Sequence, residues 1–299
     1  LEFRRKNLIH GYYEDAYLKP IAANTNGIFE CLEKGAEYIH WDEKRKAYQN
    51  QTGDIRRGVG MALFSYKTGV WPISLEIAGA RLSLNQDGSV QLQVGATEIG
   101  QGADTVFSQM AAETLHMDIS RVHIVTQQDT DVTPFDTGAY ASRQSFVTGT
   151  AVKECAQQLK QKILEYARTL VPGNVDRLEL EDGYILADGK PAISLEDLAM
   201  ESYYSLSNSS VLTAEVSRQV KKNTVASGCC FAEVEVDMKL GKIKVLDIVN
   251  VHDSGTLLNP QLAAMQVHGG MFMGIGYGVS EQLLIDEKTG RPLNGTLLD

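Results

Sequence analysis

The stretch Gly95-Ala96-Thr97-Glu98-Ile99-Gly100-Gln101-Gly102-Ala103-Asp104-Thr105 sets glycines and an amide side chain just ahead of a run of helix formers. Glycine lets backbone approach a ligand closely, and a helix N-terminus offers unpaired N–H groups at the positive end of its dipole. The Gln101 amide can both donate and accept, which suits a ring edge or an oxo group. Such a turn could cradle a phosphate or a polar heterocycle. It could equally be an ordinary capped connection, with Asp104 or Thr105 as the cap. It is not a dinucleotide fingerprint, because G-x-G-x-x-G is absent, nor a P-loop, because no Gly-Lys-Ser/Thr follows.

Residues 129–145 are rich in small and hydroxyl side chains and too long for a tight turn. Asp129, Asp131 and Asp136 do not keep the spacing of a calcium loop, and neither Ser142 nor Ser145 lies in a G-x-S-x-G elbow. Backbone N–H groups ahead of the next helix, with Arg143 nearby, favour an anion. Residues 266–278 load one helix with glycine at ~1 kcal/mol each relative to Ala, so a backbone or ligand is expected against that face. His268 has no partner at i+3 or i+4 and reads as a hydrogen-bonded core residue rather than a base or ligand. His252-Asp253 reads as an Asx-type turn.

Cys31, Cys155, Cys229 and Cys230 form no C-x-x-C pair, so no iron–sulfur or zinc site is legible. Cys229 and Cys230 are expected to be plain strand residues, and free thiols suit a reducing cytoplasm. The 299 residues are 43% hydrophobic and 22% charged, as in globular domains. Lys plus Arg is 28 against 38 Asp plus Glu, a net charge of -10 with no basic run. That argues against nucleic acid and anionic membrane as partners. No apolar stretch approaches the ~20 residues of a spanning helix.

These segments need elements to place them. Residues 1–57 are polar and mostly helical in tendency, and a new texture starts at Arg56-Arg57-Gly58. Leu82–Leu84 and Val90–Val94 alternate around Asn85-Gln86-Asp87-Gly88, a hairpin signal. A helix over 106–115, a strand over 122–125 and a long helix over 147–170 follow. Residues 178–186 read as a hairpin, Ser194 with Asp197 as a capping box, and 203–223 as a linker. Ala232, Val234 and Val236 open a last hairpin that leads through Asn259-Pro260 into a helix from about 261. Hairpin, glycine turn and helix thus occur twice, a hint of internal duplication. The class is α+β, with hairpin-rich mixed sheets packed against helices.

In combination the three segments resemble the molybdenum hydroxylases of the xanthine dehydrogenase and aldehyde oxidase family, in the molybdopterin-binding large subunit. Thr97 to Gly102, Thr130 to Gln144, and Asp253 to Gly270 follow the family's order. Bacterial xanthine dehydrogenases are the nearest in pattern. The similarity covers residues 58–299, the second cofactor-binding half. Leu1-Glu2-Phe3-Arg4-Arg5-Lys6-Asn7 resembles the join to the first half, which makes 1–57 a helical connector and the chain a part of a longer polypeptide, cut at Asp299.

The resemblance implies that molybdenum is held by a pterin dithiolene rather than by side chains, with no protein metal ligand. It places Gly100, Gln101 and Gly102 near the metal's oxo group. It gives Tyr140, Ala141, Ser142, Arg143 and Gln144 to the segment whose backbone cradles the pterin and its phosphate, and makes Gln266 a second contact. The cofactor would be the cytosine dinucleotide form. The implied reaction is hydroxylation of an electron-poor carbon of a small heteroaromatic substrate, a purine, with water as oxygen source. An aldehyde-, nicotinate- or carbon monoxide-oxidising relative and a non-catalytic assembly module are the alternatives. The family's general-base glutamate lies in a Gly-Glu-Pro-Pro-like motif that does not occur in this sequence, so no catalytic residue is assigned. The first cofactor-binding half and the iron–sulfur and FAD modules are expected on partner domains or subunits, in a cytoplasmic oligomer.

Overall fold

The computed structural model describes residues 1–8, 12–14, 20–22 and 27–296. The chain forms two compact units, Leu1–Tyr66 with Val225–Asp299, and Lys67–Thr224. In chain order the first stretch carries α1 (Glu2–Lys6), β1 (Tyr12–Glu14), β2 (Pro20–Ala22), α2 (Ile28–Tyr38), α3 (Trp41–Ala47) and β3 (Ile55–Thr68). The expected join after residue 57 falls inside β3, so the compact units divide the chain differently from that reading.

The unit Lys67–Thr224 is built on a four-stranded sheet. Its strands are β4 (Ile77–Leu84), β5 (Val90–Val94), β6 (Val122–Ile124) and, after several further elements, a strand over Thr213–Gln219. Ala78, Ala80, Leu82 and Leu84 all point to one face and are fully buried. Strict alternation selects this register, because a slip of one residue would turn the whole set to the other face. β4 and β5 pair antiparallel around the Asn85–Gly88 turn, and β6 adds in parallel to β5, Leu92 opposite Ile124. On the buried face lie α4 (Ala103–Leu115) and α5 (Gln144–Leu170). Ala151, Val152, Cys155, Leu159, Ile163 and Ala167 of α5 recur at threes and fours and are fully buried. The expected helices over 106–115 and 147–170 are therefore these two, each starting three residues earlier.

β7 (Leu178–Glu181), β8 (Tyr184–Ala187) and β9 (Lys190–Ser194) form a meander, with Asp182-Gly183 and Asp188-Gly189 both at positive φ in its turns. Ser194 caps α6 (Leu195–Tyr204), accepting the Asp197 N–H at 3.0 Å as the capping box requires. The stretch 203–223 is not a linker. It holds β10 (Thr213–Gln219), which pairs with β4 from Ile77 to Ser83 and buries Ala214 and Val216.

In the other unit, β11 (Thr224–Asp237) and β12 (Lys242–Asp253) form the expected hairpin and join β3 in a three-stranded sheet. Helix α2 packs on it so closely that a Cβ on Gly35 would lie 2.4 Å from the Phe231 ring. Burial alternates along β11, with Cys229, Phe231 and Glu233 inward and Cys230 and Ala232 less so, which makes the two cysteines plain strand residues. Burial pushes the Cys229 thiol up to about 12 and Cys155 up to about 11, so neither is a nucleophile at neutral pH. α7 (Pro260–Val279) starts at Asn259, whose side chain accepts the Leu262 N–H at 3.0 Å. Hairpin, glycine turn and helix thus recur once in each unit, though the two sheets differ in strand number and pairing. No described helix is long and apolar enough to cross a membrane.

Candidate cofactor site

Gly100 and Gly102 sit at φ 99° and 88°, a region that L side chains rarely adopt, so the Gly-Gln-Gly spacing sets the turn. The cap of α4 is neither Asp104 nor Thr105. Gly102 occupies the N-cap position, and the Glu98 carboxylate reaches back to accept N–H donors from Gly100 (2.7 Å), Gly102 (3.0 Å) and Asp104 (3.1 Å). Burial works to raise the Glu98 carboxyl, but the backbone donors of Gly102, Asp104, Gly100 and Ala103 outweigh it and hold it below the usual glutamate range. The α4 N-terminus is therefore filled by a carboxylate of the chain itself. Three of the backbone donors that such a turn would present to an anion are thus engaged within the chain.

Gln101 is fixed on both sides. Its Nε2 donates to the Thr97 carbonyl (3.0 Å) and to Gln144 Oε1 (2.6 Å), and its Oε1 accepts from the Ile99 N–H (2.7 Å). Gln144 Nε2 donates to the same Thr97 carbonyl at 3.2 Å. Both amide protons of Gln101 are thus used, which leaves one lone pair of its Oε1 free. The pair joins the Gly-Gln-Gly turn to the start of α5, 43 residues on.

The loop ahead of α5 lies against the sheet where two glycines leave no room for a side chain. A Cβ on Gly95 would meet the Pro134 carbonyl at 2.1 Å, and one on Gly79 the Pro134 side chain at 2.8 Å. Ala141 and Ser142, both non-glycine, take left-handed φ of 48° and 53°. Arg143 is not the surface cation that its neighbours suggested. It is fully buried, with Nε on Glu76 (2.5 Å), Nη1 on Asp136 (2.5 Å) and the Gly138 carbonyl (3.0 Å), and Nη2 on the Ile77 carbonyl (2.7 Å). The Tyr140 ring covers it, centroid 5.5 Å from the guanidinium carbon. Burial opposes the charge, yet Glu76 and Asp136 prevail and raise Arg143 above its ordinary value. Its side chain is turned from any external anion, so the guanidinium is not among the groups this segment offers a ligand. Among the described residues the N–H groups of Ser142, Gln144 and Ser145 have no acceptor.

Asp129 and Asp131 engage their own turn, and Asp136 serves Arg143, Thr148 and the Gly138 N–H. No group of three or more His, Cys, Asp or Glu among the described residues could hold a metal ion. The Asx turn is present, Asp253 accepting the Gly255 N–H at 3.2 Å. Gln266 and His268 lie on α7, in the other unit, and both are exposed, so His268 is not the core residue expected. Gly269, Gly270, Gly274 and Gly278 have nothing within 4 Å of a would-be Cβ, so no described residue supplies the neighbour expected against that face. The Phe64 ring lies tilted against His252, centroids 5.0 Å apart, and Tyr66 is exposed.

The family model for the molybdopterin cofactor-binding domain matches residues 34–299. The chain belongs to the molybdopterin cofactor-binding domain family. It is 50% identical over 276 residues to the xanthine dehydrogenase molybdenum-binding subunit of Escherichia coli O157:H7, covering 91% of this chain and 37% of the relative. It is 25% identical over 310 residues to the nicotine 6-hydroxylase large subunit of Paenarthrobacter nicotinovorans, covering 95% and 37%. The quinoline 2-oxidoreductase of Pseudomonas putida 86 shares the fold, with a TM-score of 0.85 at 22% identity over all of this chain and 40% of that one. The chain thus spans well under half the length of these proteins. The donor set is compatible with the family's cofactor. Neutral amides and free N–H groups at a helix start suit the polar edge of a pterin and a phosphate, with no side-chain cation needed.

Two participants escaped the sequence reading. Glu98 had a local signal, an acid just ahead of a helix start. Glu76 had none, because its partner is 67 residues away.

Proposed function

We propose that this chain is the second cofactor-binding half of the large subunit of a xanthine dehydrogenase-type hydroxylase that oxidises hypoxanthine or xanthine with water as oxygen source. The observation that carries the reading is the Gln101–Gln144 hydrogen bond, which ties the two segments named for cofactor contact into one structure. Gly100, Gln101 and Gly102, with the backbone of Tyr140, Ala141, Ser142, Arg143 and Gln144, would hold a molybdenum–molybdopterin cofactor in its cytosine dinucleotide form. Gln266 would add a contact from α7. The cofactor, when bound, supplies the redox chemistry. The residues of this chain bind and orient it, and none of them is assigned the proton transfer. The first cofactor-binding half, iron–sulfur clusters and FAD belong to partner domains or subunits of a cytoplasmic oligomer. Half-identity to a xanthine dehydrogenase subunit supports the purine substrate.

Acid release from the full subunit, purified with its partners, is expected to yield molybdenum and a cytidine nucleotide in equal amounts. A well-formed complex with neither overturns the reading. Reduction of that complex by hypoxanthine and not by benzaldehyde assigns it to purines, and the reverse to aldehydes. The isolated chain is expected to show no purine-dependent dye reduction.

A further inference from the structure

The buried cluster under the Tyr140–Gln144 segment consists of one cation and two carboxylates, all from the unit Lys67–Thr224. Glu76 is 1% exposed, and both of its oxygens are committed, one to Arg143 Nε and the other to the Val70 N–H at 2.5 Å. The neighbouring Gly69 donates its N–H to the Ala141 carbonyl at 2.8 Å. Glu76 therefore grips the segment twice, through Arg143 and through the 69–70 backbone next to Ala141. Between these grips lie the two left-handed residues, Ala141 and Ser142, a conformation that persists only where the surroundings over-determine it. Immediately after them come the free N–H groups of the α5 start.

A buried charge cluster is poor evidence for stability, since apolar side chains of equal volume often serve as well. Its specific contribution is geometric. A guanidinium fork with four acceptors in different directions sets the orientation of the Arg143 backbone, which a lysine could not do. An amide at Glu76 would present one acceptor where two are needed, because each oxygen receives a donor.

We propose that Glu76 is a positioning residue for the cofactor, acting through Arg143 to fix the Ala141–Gln144 backbone that receives it. This rests on the cofactor reading above. The test uses the full subunit with its partners and the variants Glu76→Gln and Arg143→Lys, with Gln101→Ala for comparison. Both cluster variants are expected to lose bound molybdenum roughly tenfold faster on gel filtration, as supporting residues around cofactor sites do. Hydrogen exchange over residues 138–146 should speed up in the same variants more than over the rest of the Lys67–Thr224 unit, beyond the general loss of stability that follows removal of one partner of a buried pair. Wild-type retention and exchange in Glu76→Gln, with loss in Gln101→Ala, overturn the proposal and leave the cofactor reading standing. Absence of cofactor from the wild type overturns that reading, while the exchange result still decides the positioning role. If the single variants do not fold, the triple variant Glu76→Met, Asp136→Leu, Arg143→Met removes all buried charge together. A folded triple variant that loses the cofactor supports positioning, and one that retains it, or fails to fold, overturns it.

Discussion

Glu98 shows how one carboxylate can define a turn. It fills the α4 N-terminus from two residues before Gly100, and in doing so presses against Asp104, whose Oδ1 is buried with no partner among the described residues. Burial, and then the Glu98 charge, raise the Asp104 carboxyl above its ordinary value. The two acids pull stability in opposite directions with pH. Glu98, lowered in the fold, contributes stability that is present above the unfolded glutamate range and is lost as pH falls through its folded value. Asp104, raised in the fold, favours the native state only below the unfolded aspartate range and costs stability at neutral pH. Asp104→Asn is therefore expected to raise the melting temperature at pH 7, with the gain fading below pH ~4. Glu98→Gln is expected to cost about 1–2 kcal/mol at pH 7, read from urea denaturation, the scale of a lost helix cap. Gln144→Ala removes the acceptor that holds the Gln101 amide. On the proposed hydroxylase reading it is expected to lower kcat/KM of the full complex about tenfold, the order expected of a residue that supports a cofactor contact, while Asn at 144, too short to span the gap, should not rescue it.

Among the elements, the loop over 129–143 depends on two strands that leave it no slack. Gly95→Ala would drive a methyl carbon into the Pro134 carbonyl, an overpacking expected to cost ~1–3 kcal/mol and to loosen the loop before the sheet. Limited proteolysis that cuts first between residues 129 and 143 would check this. What was legible in the sequence were elements whose partners are near in the chain. The β4–β5 hairpin, α4, α5 and the Ser194 cap are written in local alternation, helical spacing or capping chemistry. β10 was not legible, because a Ser-rich approach hides a seven-residue strand with two buried side chains whose partner lies some 130 residues away. Arg143 failed for the same reason, since a charged residue in a hydroxyl-rich loop reads as solvent-facing until Glu76 is brought to it. The α7 glycines are the opposite case, a sequence signal for close contact that no described residue meets at Gly269, Gly270, Gly274 or Gly278.

At the scale of the molecule, the unit Lys67–Thr224 is an insertion in the chain of the other unit. Its two ends meet, Asn223 donating from its side chain to the Thr68 carbonyl at 2.9 Å. It also owns a continuous core drawn entirely from its own residues. Residues 67–224 expressed alone are expected to unfold in urea in a single cooperative step, and a gradual, non-cooperative loss of signal would contradict this. The other unit draws its core from both of its stretches, Cys31, Leu32, Ile39 and Val59 packing with Cys229 and Phe231. On a ribosome, where chain emerges at ~5–20 residues per second, the inserted unit can close as soon as β10 is out. The stretch before it must wait, since the core around Leu32 and Ile39 is completed only when Cys229 and Phe231 of β11 arrive. That order of synthesis leaves α2 and α3 without the strand they pack on until the whole inserted unit has emerged, so exposed apolar surface during synthesis lasts longest on this stretch.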